Sequence, residues 1–121
     1  MKLYLAHSSG YDYETLLYRP LKAALAGEYE LFLPHEPNAN GVNSKDIIPT
    51  CDVILAEVSL PSTGQGIELG WADAHNVPIV CFYKAGSNPS SSLRFISVSA
   101  VEYHTPEEMI TELRTEIQKF V

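Results

Sequence analysis

Pro61-Ser62-Thr63-Gly64-Gln65-Gly66-Ile67-Glu68 gathers most of the chemistry this chain offers. The hydroxyls of Ser62 and Thr63 can donate to phosphate oxygens. Gly64 and Gly66 carry no Cβ, so backbone there can approach a ligand closely. Glu68 stands two residues past Gly66, in what reads as the first turn of a helix over residues 66–75. A carboxylate at that position is ionised and held near whatever the loop binds, which suits a nucleophile. A plainer reading is equally physical. An acid in a first helical turn suits the helix dipole, and a serine after Pro61 suits a turn. Gly64, Gly66 and Gly70 give GxGxxxG, not the dinucleotide fingerprint, and no GxxxxGK[ST] occurs. His7, His35, His75 and His104 show no metal-ligand spacing. No metal or cofactor is expected.

The elements that must hold this loop alternate between apolar runs and helical patterns, as in a parallel α/β sheet. Strands are expected at 2–6, 29–33, 53–58, 77–83 and 97–103. Helices are expected from Asp12 to about Ala26, weakly over 45–48, over 66–75 and from Thr105 onward. Pro20 either kinks the first helix or marks where its regular part begins. Met109, Ile110, Leu113, Ile117 and Phe120 form one apolar stripe on the last helix. Right-handed crossovers then predict a three-layer Rossmann-like sandwich of flavodoxin type, with strand order 2-1-3-4-5. Ligands bind such sheets beyond the carboxyl ends of strands one and three, so loops 7–10 and 59–66 should share the site.

Composition bounds the partners. The 121 residues make one domain, 1–121, with 45% apolar residues. Fifteen acids against eight basic residues, net −7, oppose a polymeric nucleic-acid partner. A mononucleotide stays open, since backbone N–H groups and hydroxyls can hold its phosphate. Cys51 and Cys81 lie in or beside apolar runs and read as buried free thiols. No signal peptide and no membrane-length apolar run is visible, so a cytoplasmic setting is the expectation.

CDVILAEV followed by PSTGQGIELG resembles the nucleoside 2-deoxyribosyltransferase superfamily. It is most similar to the 2'-deoxynucleoside 5'-monophosphate N-hydrolase (Rcl-like) branch, whose pattern runs ADVVVAEV…PS.G.G.ELG. The resemblance is strong over residues 52–83 and rests elsewhere on layout. It implies that Glu68 is the catalytic nucleophile, that Tyr4 lines the pocket, and that Ser8 and Ser62 contact a phosphate. It implies that Ser92 reaches the phosphate of a neighbouring subunit, hence a homodimer. Lys84 and Arg94 lie close enough in sequence to add positive charge there. An Arg expected near the first loop is absent. The position of a family Asp that assists the ribose is Ser44, and the nearest acid is Asp46, which a two-residue deletion could bring into the site. Asp46 or Glu57 would protonate the departing base. The implied reaction is cleavage of a nucleotide's N-glycosidic bond through a glycosyl-enzyme intermediate. Base exchange by a deoxyribosyltransferase, or nucleotide binding without catalysis, are the alternatives.

Overall fold

The computed structural model describes all residues, 1–121. Five strands form one parallel sheet in the order β2-β1-β3-β4-β5. They are β1 (Lys2–His7), β2 (Glu30–Phe32), β3 (Val53–Glu57), β4 (Ile79–Lys84) and β5 (Ser99–Tyr103). The α-helices are α1 (Arg19–Leu25), α2 (Ser44–Ile47), α3 (Thr63–Ala74) and α4 (Pro106–Gln118). The order is the one expected. Both faces of the sheet are covered, which is why β1 and β3 read as unbroken apolar runs.

Side chains alternate across the sheet and build two cores. Leu3, Leu5, Val53, Leu55, Val80 and Phe82 pack on α1 and α4 through Leu21, Leu25, Met109, Leu113 and Ile117. Tyr4, Ala6, Ile54, Ala56, Ile79 and Cys81 pack on α3 through Leu69 and Ala72. Ala6 and Ala56 are register partners, and two alanines side by side let α3 sit low over β1 and β3. Cys51 and Cys81 are buried free thiols in this second core.

Three local findings refine the sequence reading. The regular α-helix begins at Arg19, the second of the two expectations for Pro20: a wide-turned segment, Glu14–Tyr18, runs into it, and Pro20 stands in α1's first turn. Asp12 Oδ1 accepts from the Thr15 N–H at 3.3 Å, as a capping residue should. The third concerns α3, which begins three residues earlier than expected. Ser62 caps it by accepting from the Gln65 N–H at 3.2 Å, so Glu68 falls in the second turn and not the first. The cap residue, not the glycines, starts this helix. Asn76, at φ 58°, turns the chain out of α3. At α4, Thr105 caps, Pro106 takes the first position, and Glu107 and Glu108 fill the first turn, all as expected.

Candidate active site

Glu68 owes its surroundings to β1 and α2. Tyr4 is fully buried in β1 and stacks on Phe32 of β2, with ring centroids 5.5 Å apart. This stacking aims its phenol along the sheet, and the hydroxyl donates to Glu68 Oε2. Ser44 Oγ lies 2.7 Å from the same hydroxyl. The phenol has one proton, spent on the carboxylate, so Ser44 must donate to the Tyr4 oxygen. The result is a directional chain, Ser44 to Tyr4 to Glu68.

Burial raises Glu68's pKa above its ordinary value, opposed by the hydrogen bond from Tyr4 and, less, by the Ser44 hydroxyl behind it. The expectation of a carboxylate simply ionised by the helix dipole is therefore corrected. Glu68 sits too far into α3 for the first-turn dipole, and its charge state is set by burial against two hydroxyls. Burial first, and then the Glu68 charge, push the Tyr4 phenol far up, so it stays a donor.

Ser44 reaches the site without any shift of register. Asp46, two residues on, is exposed in the first turn of α2. At 3.6 residues per turn it points about 200° away from Ser44. Glu57 is also separated from Glu68. It extends from β3 on the face of Leu55, toward α1 and α4, whereas Glu68 lies with Tyr4 on the other face. Its carboxylate accepts from the Ser59 N–H at 2.6 Å, from Ser59 Oγ at 2.9 Å and from the Tyr103 hydroxyl. Neither acid touches Glu68.

The remaining candidates fall into two places. Ser8 is buried at the end of β1, where its Oγ accepts from the Gly10 N–H at 3.1 Å. Ser62, Gly66 and Ser92 line one open cavity of about 470 Å³ on the β4 side of α3, together with Thr63 and Ser90. Glu68 does not line it. Within a single chain, Ser92 and Glu68 thus belong to different flanks of α3. Gly64 and Gly66 are exposed, and a Cβ on either would meet nothing within 4 Å. Packing within this chain does not require them to be glycine.

Two residues that sequence reasoning missed shape the site. Gln65 is only 4% exposed and donates from Nε2 to the carbonyls of Glu57, at 2.6 Å, and Ala6, at 3.2 Å. It pins the first turn of α3 to the ends of β1 and β3. Its signal was a long amide flanked by two glycines in an otherwise small-residue loop. The other is His7, buried in an aromatic cluster with Tyr13, Tyr18 and His35. Its Nδ1–H donates to the Ser8 carbonyl at 2.9 Å, so Nε2 accepts from the Tyr18 hydroxyl at 2.6 Å. Burial lowers its pKa to about 4, so it is neutral at neutral pH.

No three His, Cys, Asp or Glu side chains gather as a metal site. No helix is long and apolar enough to cross a membrane.

No family profile matches the chain. A Syntrophotalea carbinolica protein, provisionally named 2'-deoxynucleoside 5'-phosphate N-hydrolase 1, is 35% identical over 65 residues. That match covers 51% of this chain and 46% of the relative, so the shared segment spans about half of each. Among solved structures, the Clostridium botulinum CMP N-glycosidase BcmB superposes with TM-score 0.70 at 20% identity, covering 94% of this chain and 99% of that one. A conserved protein from Enterococcus faecalis V583 superposes with TM-score 0.67 at 13% identity, covering 96% and 98%. These structural likenesses speak to the fold, which hosts many functions. The local match and the shared fold agree with the resemblance of the ELG-bearing segment to the nucleoside 2-deoxyribosyltransferase-like superfamily and its 2'-deoxynucleoside 5'-monophosphate N-hydrolase (Rcl-like) branch.

Proposed function

We propose that this chain hydrolyses the N-glycosidic bond of a nucleoside 5'-monophosphate, with Glu68 as the nucleophile. One observation carries the reading: a half-buried carboxylate, oriented by Tyr4 and Ser44, stands beside the carboxyl ends of β1 and β3. The names of the similar proteins, an N-hydrolase of nucleoside phosphates and a CMP N-glycosidase, agree with it.

In the proposed reaction a Glu68 oxygen attacks the anomeric carbon as the C–N bond breaks through an oxocarbenium-like transition state. The base leaves with the bonding electron pair and takes a proton from solvent, because no second carboxylate adjoins Glu68. Water then cleaves the glycosyl ester, returns Glu68 to its starting state and yields the sugar phosphate with retained configuration. Tyr4 holds the attacking carboxylate in one rotamer. The 5'-phosphate is held by Ser8 and Ser62, and the open backbone at Gly64 and Gly66 admits it. Ser92 is supplied by the second subunit of a symmetric homodimer, which accounts for its place on the far flank of α3.

Incubation with a panel of ribo- and deoxyribonucleoside monophosphates, followed by chromatography for free base, tests this. Base is released by the native chain and not by Glu68→Gln, whose amide cannot form the ester. Equal release by both variants overturns the nucleophile. Base exchange on unphosphorylated nucleosides would identify a transferase instead. Ser44, a hydroxyl where the family pattern has an acid, favours a second reading, nucleotide binding without turnover. Saturable binding with no base released from any substrate would establish that.

A further inference from the structure

Another cavity, of about 210 Å³ and with a mainly apolar lining, opens at the same edge of the sheet on the opposite face, under the start of α4. Tyr11, Glu57, Leu60, Lys84, Tyr103 and Pro106 line it. Its floor is a carboxylate, Glu57, only 3% exposed and in no ion pair. An ionised carboxylate has about four acceptor positions, two on each oxygen. Glu57 Oε2 uses both, on Ser59 Oγ and the Tyr103 hydroxyl, while Oε1 uses one, on the Ser59 N–H. One position on Oε1 is left. In the same cavity the Tyr11 hydroxyl is buried with no hydrogen-bond partner. Burial, with the Glu57 charge second, pushes its pKa far up, so it remains a donor. The unused acceptor and the unused donor lie just behind the cavity wall, the Tyr11 hydroxyl fully covered and Glu57 3% exposed, so a ligand reaches them by parting that wall, and an unpaired buried hydroxyl is costly unless something does.

The ligand that matches has an N–H donor beside an acceptor on a flat frame. Charge narrows the class. The Glu57 carboxylate opposes an anion, and Lys84 opposes a cation. The volume is below the roughly 300–1,000 Å³ usual for sites of drug-sized ligands, so a bare ring fits better than a nucleotide. Leu60, Pro106 and the Tyr103 ring supply apolar walls for such a ring. We propose that this cavity binds a free nucleobase by its amidine edge, the amino N–H on Glu57 and the ring nitrogen on the Tyr11 hydroxyl. The choice of a nucleobase rests on the proposed function. The site itself does not, and a base held there leaves the Glu68 face open.

Cytosine carries the required edge, and pyrimidine has the ring without the amino group. Titrating each into the isotopically labelled native chain, by amide NMR, tests the proposal. Cytosine should give saturable shifts centred on Tyr11, Ser59 and Tyr103, and pyrimidine should bind at least about tenfold more weakly, the cost of leaving a charged acceptor unmet. Tyr11→Phe should weaken cytosine about fivefold to tenfold, the worth of one neutral hydrogen bond. Glu68→Gln should leave the titration unchanged. The proposal is overturned if no shift saturates, if Tyr11→Phe binds as well as the native chain, or if the shifts centre on Tyr4, Ser44 and Glu68. Base release from CMP is measured separately. Its absence, with cytosine still bound at Tyr11, would count against the proposed hydrolysis alone.

Discussion

Replacing Tyr4 with Phe isolates one hydroxyl. The ring keeps its hole and its stacking on Phe32, so the fold should survive. What is lost is the donor to Glu68 and the partner of Ser44. A hydrogen bond to a charged group contributes about 1.5–3 kcal/mol. That energy favours the ionised carboxylate, so removing it tightens proton binding by roughly tenfold to a hundredfold. The sign is definite. Burial already raises Glu68's pKa, and Tyr4 is the larger of the two hydroxyl effects that hold it down. A nucleophilic carboxylate must be ionised, so activity falls as pH drops through its titration. The acid limb of kcat/KM should therefore move to higher pH in Tyr4→Phe. On the alkaline side, where both proteins are ionised, the two rates should converge to within about tenfold, since the amount of nucleophile is then equal. Ser44 can swing toward Glu68 once the phenol is gone, so Tyr4→Phe with Ser44→Ala should move the limb further. Base release from the preferred nucleotide between pH 4.5 and 9 is the assay. An acid limb that stays in place in the double variant would show that Tyr4 and Ser44 do not set the charge of Glu68, and that another group governs the profile.

Gln65→Ala should destabilise the fold by about 1–3 kcal/mol, because it removes the two hydrogen bonds by which Gln65 ties α3 to the Ala6 and Glu57 carbonyls; urea unfolding measures this, and Gln65→Glu should be worse. His7 should make the protein acid-sensitive: its pKa falls from 6.5 to about 4, so the stability from keeping it neutral is full above pH 6.5 and is lost as pH falls toward 4. That loss amounts to about 3 kcal/mol for one proton, and the urea midpoint of His7→Gln should change less between pH 7 and 4.5 than that of the native chain. Glu68 acts in the opposite sense, since its raised pKa means that ionising it in the folded protein costs stability as pH rises through its titration. Glu68→Gln should then be more stable than the native chain at pH 7, by about 0.5–2 kcal/mol as is common when a functional site is relaxed, with the gap closing in acid; a lower melting temperature at pH 7 would contradict the half-buried, ionised Glu68.

The sheet order was readable because periodicity, loop length and crossover handedness all constrain it. Thr105-Pro106 located α4 to the residue, since a cap followed by proline leaves little freedom. The start of α3 was misjudged because glycines were read as loop. Ser62 outranks them: once its Oγ accepts from Gln65, the next residues are committed to helix, and Gly64 and Gly66 are carried along. The partners of Gln65 could not be read. Its role depends on two strand ends brought together by β1 and β3 pairing, a contact 59 residues apart for Ala6. The tautomer of His7 likewise depends on Tyr18 and Ser8 meeting it from two directions.

Parity separates the three acids that the sequence offered as one group. Along β3, Val53 and Leu55 face α1 and α4, while Ile54 and Ala56 face α3. Glu57 keeps step with Val53 and Leu55, so once α3 is known to cover the other face Glu57 cannot reach a carboxylate standing on it. The same counting applies to α2. Ser44 and Asp46 are two apart, and no helix presents both to one partner. A carboxylate moved into the site by a two-residue deletion would have to bring its whole turn with it, away from the Asn43 side chain that caps α2. The cap and the Tyr4 contact together favour the register with Ser44 at the site. The proposed centre has one acid and two hydroxyls, and under the proposed function its chemistry would be that of a single oriented nucleophile. Such a centre should discriminate among substrates chiefly by how readily the base leaves. Comparing base release across nucleotides of graded leaving-group ability would show it: a steep dependence on the acidity of the departing base is expected, because no adjacent acid shares the work. A flat dependence would mean that a proton donor does reach the base, and Asp46 would be the first residue to mutate.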